Sequence, residues 1–190
     1  MIEEIINGIA AEVATLPWVS RTGGVTRAVR INDNGVTRTL PAAKVVGSGT
    51  DAPGWMIPDS NDSAIVYFEE VSTATASTSS LARIDCVTSV RLVLWANLQR
   101  IDADVSTAMA KIIGTITERP ANGTICKSIQ VSIAGFEPQV QNIVFGRYTF
   151  DDRENQQFLY PFDFASILLR VQYSVVPSCA DAVNQTDPPC

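Results

Sequence analysis

Ile84-Asp85-Cys86-Val87-Thr88-Ser89-Val90-Arg91-Leu92-Val93-Leu94-Trp95-Ala96-Asn97-Leu98 is the stretch on which the fold turns. Its even positions (Ile84, Cys86, Val90, Leu92, Leu94, Ala96, Leu98) are apolar, and Asp85, Ser89, Arg91 and Asn97 stand at odd ones. That period of two predicts a long strand with one buried face. An acidic break follows at Ile101-Asp102-Ala103-Asp104, and then Val105, Ala108, Met109, Ile112, Ile113 and Ile116 recur at helical spacing. Asp102 and Asp104 stand where helix caps belong. A strand that hands the chain to a helix packed on its own sheet is therefore the spine of the domain.

Upstream, Ile2, Ile5, Ile6, Ile9, Val13 and Leu16 form a helical stripe, so a first helix is predicted over Ile2 to Leu16. Glu3 and Glu4 favour its positive end, Pro17 stops it, and Trp18 is expected against the sheet. Val25 to Ile31 and Val36 to Ala43 flank Asn32-Asp33-Asn34-Gly35, a hairpin signal carried by Asn-Gly. Pro41 lacks a backbone donor, so the second arm is expected to be an edge or to end its pairing there. Gly47 to Asp62 reads as a long loop holding the apolar residues Trp55, Met56 and Ile57. Ala64 to Glu70 reads as a strand covered on both faces, and Ser72 to Ser80 as a flexible loop.

Downstream, Lys127 to Ala134 alternates, with Ile129, Val131 and Ile133 inward, until Gly135 and Pro138 interrupt it. Asn142 to Phe150 is read as a strand and Asp151 to Gln157 as a polar loop. The last strand, Phe164 to Val176, is expected to bury Ile167, Leu169, Val171, Tyr173 and Val175 and to expose Ser166, Arg170, Gln172 and Ser174. Residues 178–190 read as a polar tail. The order predicts one α+β domain over residues 1–177: a mainly antiparallel sheet, two helices on one face, a projecting hairpin (25–43) and the long loop (47–62).

Composition narrows the function. The net charge of −6 argues against a dedicated nucleic-acid binder, although Arg21, Arg27, Arg30, Arg38 and Lys44 make a local basic cluster. No apolar run reaches the roughly 18 residues that span a bilayer, and the acidic start Met1-Ile2-Glu3-Glu4 does not resemble a signal peptide. A soluble protein made in a cytoplasm is expected, with no membrane partner. The four cysteines, Cys86, Cys126, Cys179 and Cys190, form no metal-ligand spacing, and a cytoplasmic origin disfavours a Cys179–Cys190 bridge. With no histidine in the chain, the commonest general base and metal ligand is missing. No phosphate-binding glycine motif occurs. Of the acidic pairs, Asp102/Asp104 are read as helix caps, Asp151-Asp152 with Glu154 as a solvated loop, and Glu69-Glu70 as the close of a strand that gives no constellation, rather than as a metal-dependent hydrolase. No catalytic residue, metal site or cofactor is expected.

The element order resembles that of the tail-terminator and tail-completion proteins of tailed bacteriophages. The likeness is carried by the helix Ile2 to Leu16, the hairpin after it, Val90-Arg91-Leu92-Val93-Leu94-Trp95 running into Val105 to Ile116, and the closing strand Ile167-Leu168-Leu169-Arg170-Val171-Gln172-Tyr173. The loop at Gly47 to Asp62 and the tail after Val176 depart from that pattern and point to a longer relative, a neck or tail ring protein of a short-tailed phage. The resemblance implies a structural virion protein made in the bacterial host, with no enzymatic activity. It implies a homo-oligomeric ring, commonly six-fold, between connector and tail, with those proteins as neighbours and DNA passing through without sequence-specific binding. On this reading Arg27, Arg30 and Arg38 of the hairpin and Trp55, Met56 and Ile57 of the loop make the intersubunit contacts. Deleting the loop over residues 51–58 is then expected to leave a folded subunit that does not assemble. The competing expectation is a monomeric accessory module that grips an acidic partner or DNA with the basic hairpin.

Overall fold

The structure, a computed structural model, describes residues 2–33, 35–50, 52–57, 59–72, 74–80, 83–117, 126–137 and 139–175. The polar tail, with Cys179 and Cys190, lies outside these residues, as do Pro138 and Val176. The chain runs α1 (Ile2–Val13), β1 (Arg21–Val25), β2 (Arg27–Asp33), β3 (Val36–Lys44), β4 (Pro53–Trp55), β5 (Ala64–Glu70), β6 (Thr75–Ser80) and β7 (Arg83–Asn97). It continues through α2 (Leu98–Ile101), α3 (Val105–Thr117), β8 (Cys126–Phe136), α4 (Gln141–Phe145), α5 (Asp152–Gln156) and β9 (Phe162–Val175). The main sheet has the order β1-β5-β7-β9-β8, with β6 also on β7, and β2-β3-β4 form a second, three-stranded sheet. Only β1 on β5 is parallel among the described pairings, so the fold is a mainly antiparallel α+β architecture.

Both predicted helices lie on one face. Ile5, Ile6, Ile9 and Val13 of α1 and Ala108, Met109 and Ile112 of α3 bury against Val90, Leu92, Leu94 and Ala96 of β7 and Ile167, Leu169 and Val171 of β9. Each such aliphatic side chain contributes about 1.5–3 kcal/mol on full burial. Asp104 caps α3 by accepting the Thr107 amide at 2.7 Å, which holds its carboxyl below the ordinary range. Asp102 closes α2 in the left-handed region at φ 49°. Trp18 packs half-buried against this core, and α1 proper ends at Val13, with tighter turns carrying the chain on to Leu16.

The expectation of a single buried face fails in the second half of β7. Val93 and Trp95, at odd positions, enter a second core with Ile65, Tyr67, Val144, Phe145 and Phe164. The three-stranded sheet contributes Ala43 to that core, and the segment between β8 and β9 covers much of it. Asn142 to Phe150 is accordingly not a strand: α4 and a turn place Val144, Phe145 and Tyr148 on the core at spacings of one and four. Asp151 to Gln157 is not a plain loop either but holds α5 behind a capping box.

The Ser72 to Ser80 tract is also corrected, since Thr75–Ser80 is strand β6. The reason lies in the length of β7: β5 pairs only with Val90–Ala96, and β6 satisfies the backbone groups of Arg83–Val87 on the same side. Ser166 and Ser174, expected outside, are 3% and 4% exposed because their hydroxyls donate to Glu137 (2.8 Å) and Asp85 (2.6 Å). On the edge strand β8, Ile129 and Val131 are half-buried, whereas Ile133, which lines a small apolar gap with Ile113 and Ile116 of α3, is 38% exposed. Pro41 does not end its arm. β3 is central in its sheet, and the missing donor faces the side where β4 has stopped and the Pro41 carbonyl takes the Met56 amide at 2.9 Å. No helix among the described residues is long and apolar enough to cross a membrane.

Candidate functional site

The hairpin turn closes as the sequence predicts, with Asp33 opposite Val36 and Gly35 at φ +85°. Its arginines meet different fates. Arg38 is 8% exposed, with Nη1 at 3.3 Å from Asp151 and Nη2 bonded to Glu154, so it locks β3 to α5. Arg27 donates to Glu3 of α1 at 2.6 Å, which raises its pKa. Arg21 pairs with Asp62 and donates to the Trp55 carbonyl at 2.7 Å. Arg30 shares a hairpin face with Thr39 while Arg38 shares the other with Ile31; it is exposed and makes no ion pair among the described residues. The basic cluster is therefore largely neutralised within the subunit.

The apolar loop divides in the same way. Met56 is 1% exposed and belongs to the second core, packed so closely over Gly23 that a side chain there would meet the Met56 sulfur at 2.6 Å. Trp55 stays 40% exposed, and Ile57 is half-buried. Arg38 and Met56 are thus internal ties, which corrects their expected place at a contact surface. The expected result of the 51–58 deletion changes too: it would remove β4 and a core methionine and destabilise the subunit itself.

Trp55 and Ile57 face α5 across a cleft of about 340 Å³, lined also by Arg21, Asp59, Arg153, Glu154 and Gln157. Asp151 accepts the Glu154 amide at 2.7 Å, and Glu154 returns a bond to the Asp151 amide at 2.8 Å. Asp151→Ala is expected to lower stability by about 1 kcal/mol by opening this capping box, read from the urea midpoint. The Gln157 carbonyl accepts the Trp95 indole N–H at 2.8 Å, whereas the side-chain Oε1 of Gln157 is buried without a hydrogen-bond partner. The cleft thus presents an aromatic face and carboxylates beside two arginines, Arg21 and Arg153. The Asp-x-x-Glu spacing at 151–154 was the sequence signal for its α5 wall.

Glu69 forms a constellation that the linear pattern did not suggest. It is fully buried at the end of β5, where Arg91 donates to it at 3.1 Å and the Tyr148 hydroxyl also bonds it. Arg91 reaches across to Glu137 at 2.5 and 2.7 Å, and the Ser166 hydroxyl completes the group. Those bonds to Glu137 raise the pKa of Arg91. Burial works to raise the Glu137 carboxyl, yet the bonds from Arg91 and Ser166 prevail and hold it below its ordinary range. Burial first, and then the Glu69 charge, push the Tyr67 and Tyr148 phenols up, so both remain neutral. Glu69, Tyr67 and Tyr148 are all under a tenth exposed, and the arrangement acts as an ionic clamp between the sheet and the segment that covers it. Its one signal was a carboxylate inside an otherwise apolar strand.

Among the described residues no group of three or more cysteine or acidic side chains is arranged to hold a metal ion. No known protein-family model matches the chain, and no curated protein matches it.

Proposed function

We propose that the chain is a structural subunit of a tailed-bacteriophage neck or tail, assembling head to tail into a homo-oligomeric ring of the tail-terminator kind. A closed ring needs two different surfaces on each subunit, one meeting the other on the next copy. The observation that carries the reading is a pair of such surfaces held firmly apart. The outer face of β2 carries Arg30, and the Trp55 cleft opens between the loop and α5. Neither rests on a free loop: Arg27–Glu3 ties the hairpin to α1, Arg38–Glu154 ties it to α5, and Arg21–Asp62 pins the loop beside Trp55. The α+β architecture with both long helices on one face supports the same resemblance as the element order.

The alternative of a monomeric module gripping DNA is less well supported, because Arg21, Arg27 and Arg38 already hold carboxylates of their own subunit. Light scattering on the purified full chain is the test. A discrete species larger than a dimer is expected, whereas a monomer at every concentration with salt-sensitive DNA binding would overturn the ring.

A further inference from the structure

We infer that residues 139–161, the connection between β8 and β9, form an acid-released cover that opens as a unit while the helix-backed side of the sheet stays folded. The inference stands apart from the ring reading. Its hinge is built into the topology: β8 and β9 are neighbouring antiparallel strands, with Phe136 opposite Ile167, so the connection leaves the sheet and rejoins it at adjacent points. Swinging it outward breaks no strand pairing of the main sheet. Backbone bonding adds little to hold it down. Among the described residues, the Thr149 amide donates to the Thr39 carbonyl at 2.8 Å, and the Pro161 carbonyl accepts the Leu98 amide at 2.8 Å.

What fastens the cover, besides its aromatic underside, is charge, and a carboxylate stands in each fastening. At its start Glu137 takes two bonds from Arg91 of β7 and one from Ser166 of β9. In its middle Tyr148 donates to the buried Glu69 of β5, and Arg147 stands 3.9 Å from the same carboxylate, which Arg91 and Tyr67 also face. At its far end Asp151 and Glu154 hold Arg38 of β3, with Arg21, Arg153 and Asp59 along the adjoining cleft. Protonation discharges these acceptors and leaves the largely buried guanidinium groups of Arg91 and Arg38 without counter-charge, a costly state that opening relieves by returning them to water. Glu137 has the sign this requires: held below its ordinary range while the cover is closed, it takes up a proton more readily once the cover is open. The opposite face is held differently. There α1 and α3 pack on the sheet through aliphatic burial, and the carboxylates described beside them, Glu3 with Arg27 and Asp104 at the α3 cap, lie in water.

Hydrogen exchange read by mass spectrometry on the full chain decides the point, comparing pH 7 with about pH 3.5 after correction for intrinsic exchange rates. Protection of residues 141–160 is expected to fall at least about tenfold further than that of α1 and α3. The triple variant Glu69→Gln, Glu137→Gln, Glu154→Gln mimics the discharged carboxylates and is expected to show the same pattern already at pH 7. A common loss of protection in α1, α3 and the connection overturns the inference, as does a connection equally protected at both pH values. Opening in acid that the neutral variant does not reproduce at pH 7 overturns the carboxylate fastening. If the triple variant does not fold, Glu137→Gln with Glu154→Gln, which leaves the fully buried Glu69 in place, carries the neutral-pH comparison.

Discussion

Trp95→Ala is expected to lower the stability of the domain by about 3–5 kcal/mol, the range for emptying a large buried aromatic site. Trp95 is 1% exposed near the carboxyl end of β7, stacks on Phe162 at 4.8 Å, and lies in the same core as Phe145 and Phe164. The surrounding rings also pack against one another, with Phe145 5.1 Å from Phe164 and 4.8 Å from Phe158, so the cavity has little freedom to collapse. The substitution also deprives the Gln157 carbonyl of its donor, and Gln157 forms part of the cleft wall. Trp95→Phe keeps most of the volume but not the indole N–H. It is expected to cost less stability than alanine while still leaving the Gln157 carbonyl without its donor, and urea unfolding monitored by circular dichroism reads the difference.

Arg91→Ala is expected to cost a similar amount, about 3–5 kcal/mol, because it takes the nearer cation from the fully buried Glu69 carboxylate, which keeps only Arg147 at 3.9 Å, and strands Glu137 as well. The loss is therefore larger than the net worth of the ion pair. Because Arg91 also holds Glu137, the combined substitution Glu69→Leu, Arg91→Met and Glu137→Gln is the one that removes every charge of the set, and the destabilisation it causes is expected to be smaller than that of Arg91→Ala, since replacing buried ion pairs by neutral groups is often close to neutral. A combined variant as unstable as Arg91→Ala would mean that packing, rather than the stranded charges, sets the cost.

The same clamp fixes the direction of acid sensitivity. The Glu137 carboxyl is held below its ordinary value in the folded chain, so the folded state binds its proton less readily than the unfolded state does. Its contribution is complete above the ordinary carboxylate range and is lost as pH falls through that range to the lower, folded value. Urea midpoints should fall across that window, and Glu137→Gln should flatten this part of the fall while lowering the plateau above it.

The linear pattern made the scaffold legible wherever a residue's neighbours in sequence are also its neighbours in the structure. The alternation in β7, the helical stripes of α1 and α3, and the Asn-Gly turn each depend on local spacing. The same reasoning misread Asn142 to Phe150, where β-branched and aromatic residues suggested a strand. There the demand of a second core for Val144, Phe145 and Tyr148 outweighed strand preference. It missed β6 because a Thr/Ser tract becomes a strand only beside the unpaired half of a longer one. Of the residues expected at a contact surface, Arg30, Trp55 and Ile57 do line or project from open surfaces. Arg38 and Met56 were indistinguishable from them by residue type, and both are spent inside the subunit.

The long strand Ile84 to Leu98 shows where the division falls. The sequence alone was enough for the apolar face of this strand, the helix that follows it and the capping positions at Asp102 and Asp104, because these are matters of backbone period and local hydrogen bonding. Only the tertiary structure decided that Arg91, Val93 and Trp95 on its other face are covered too. That face is closed by residues 137 to 164, brought over it by Glu137, Tyr148 and the aromatic cluster. Burial of an odd-numbered side chain depends on what the chain does some fifty or more residues later, and no local period carries that information.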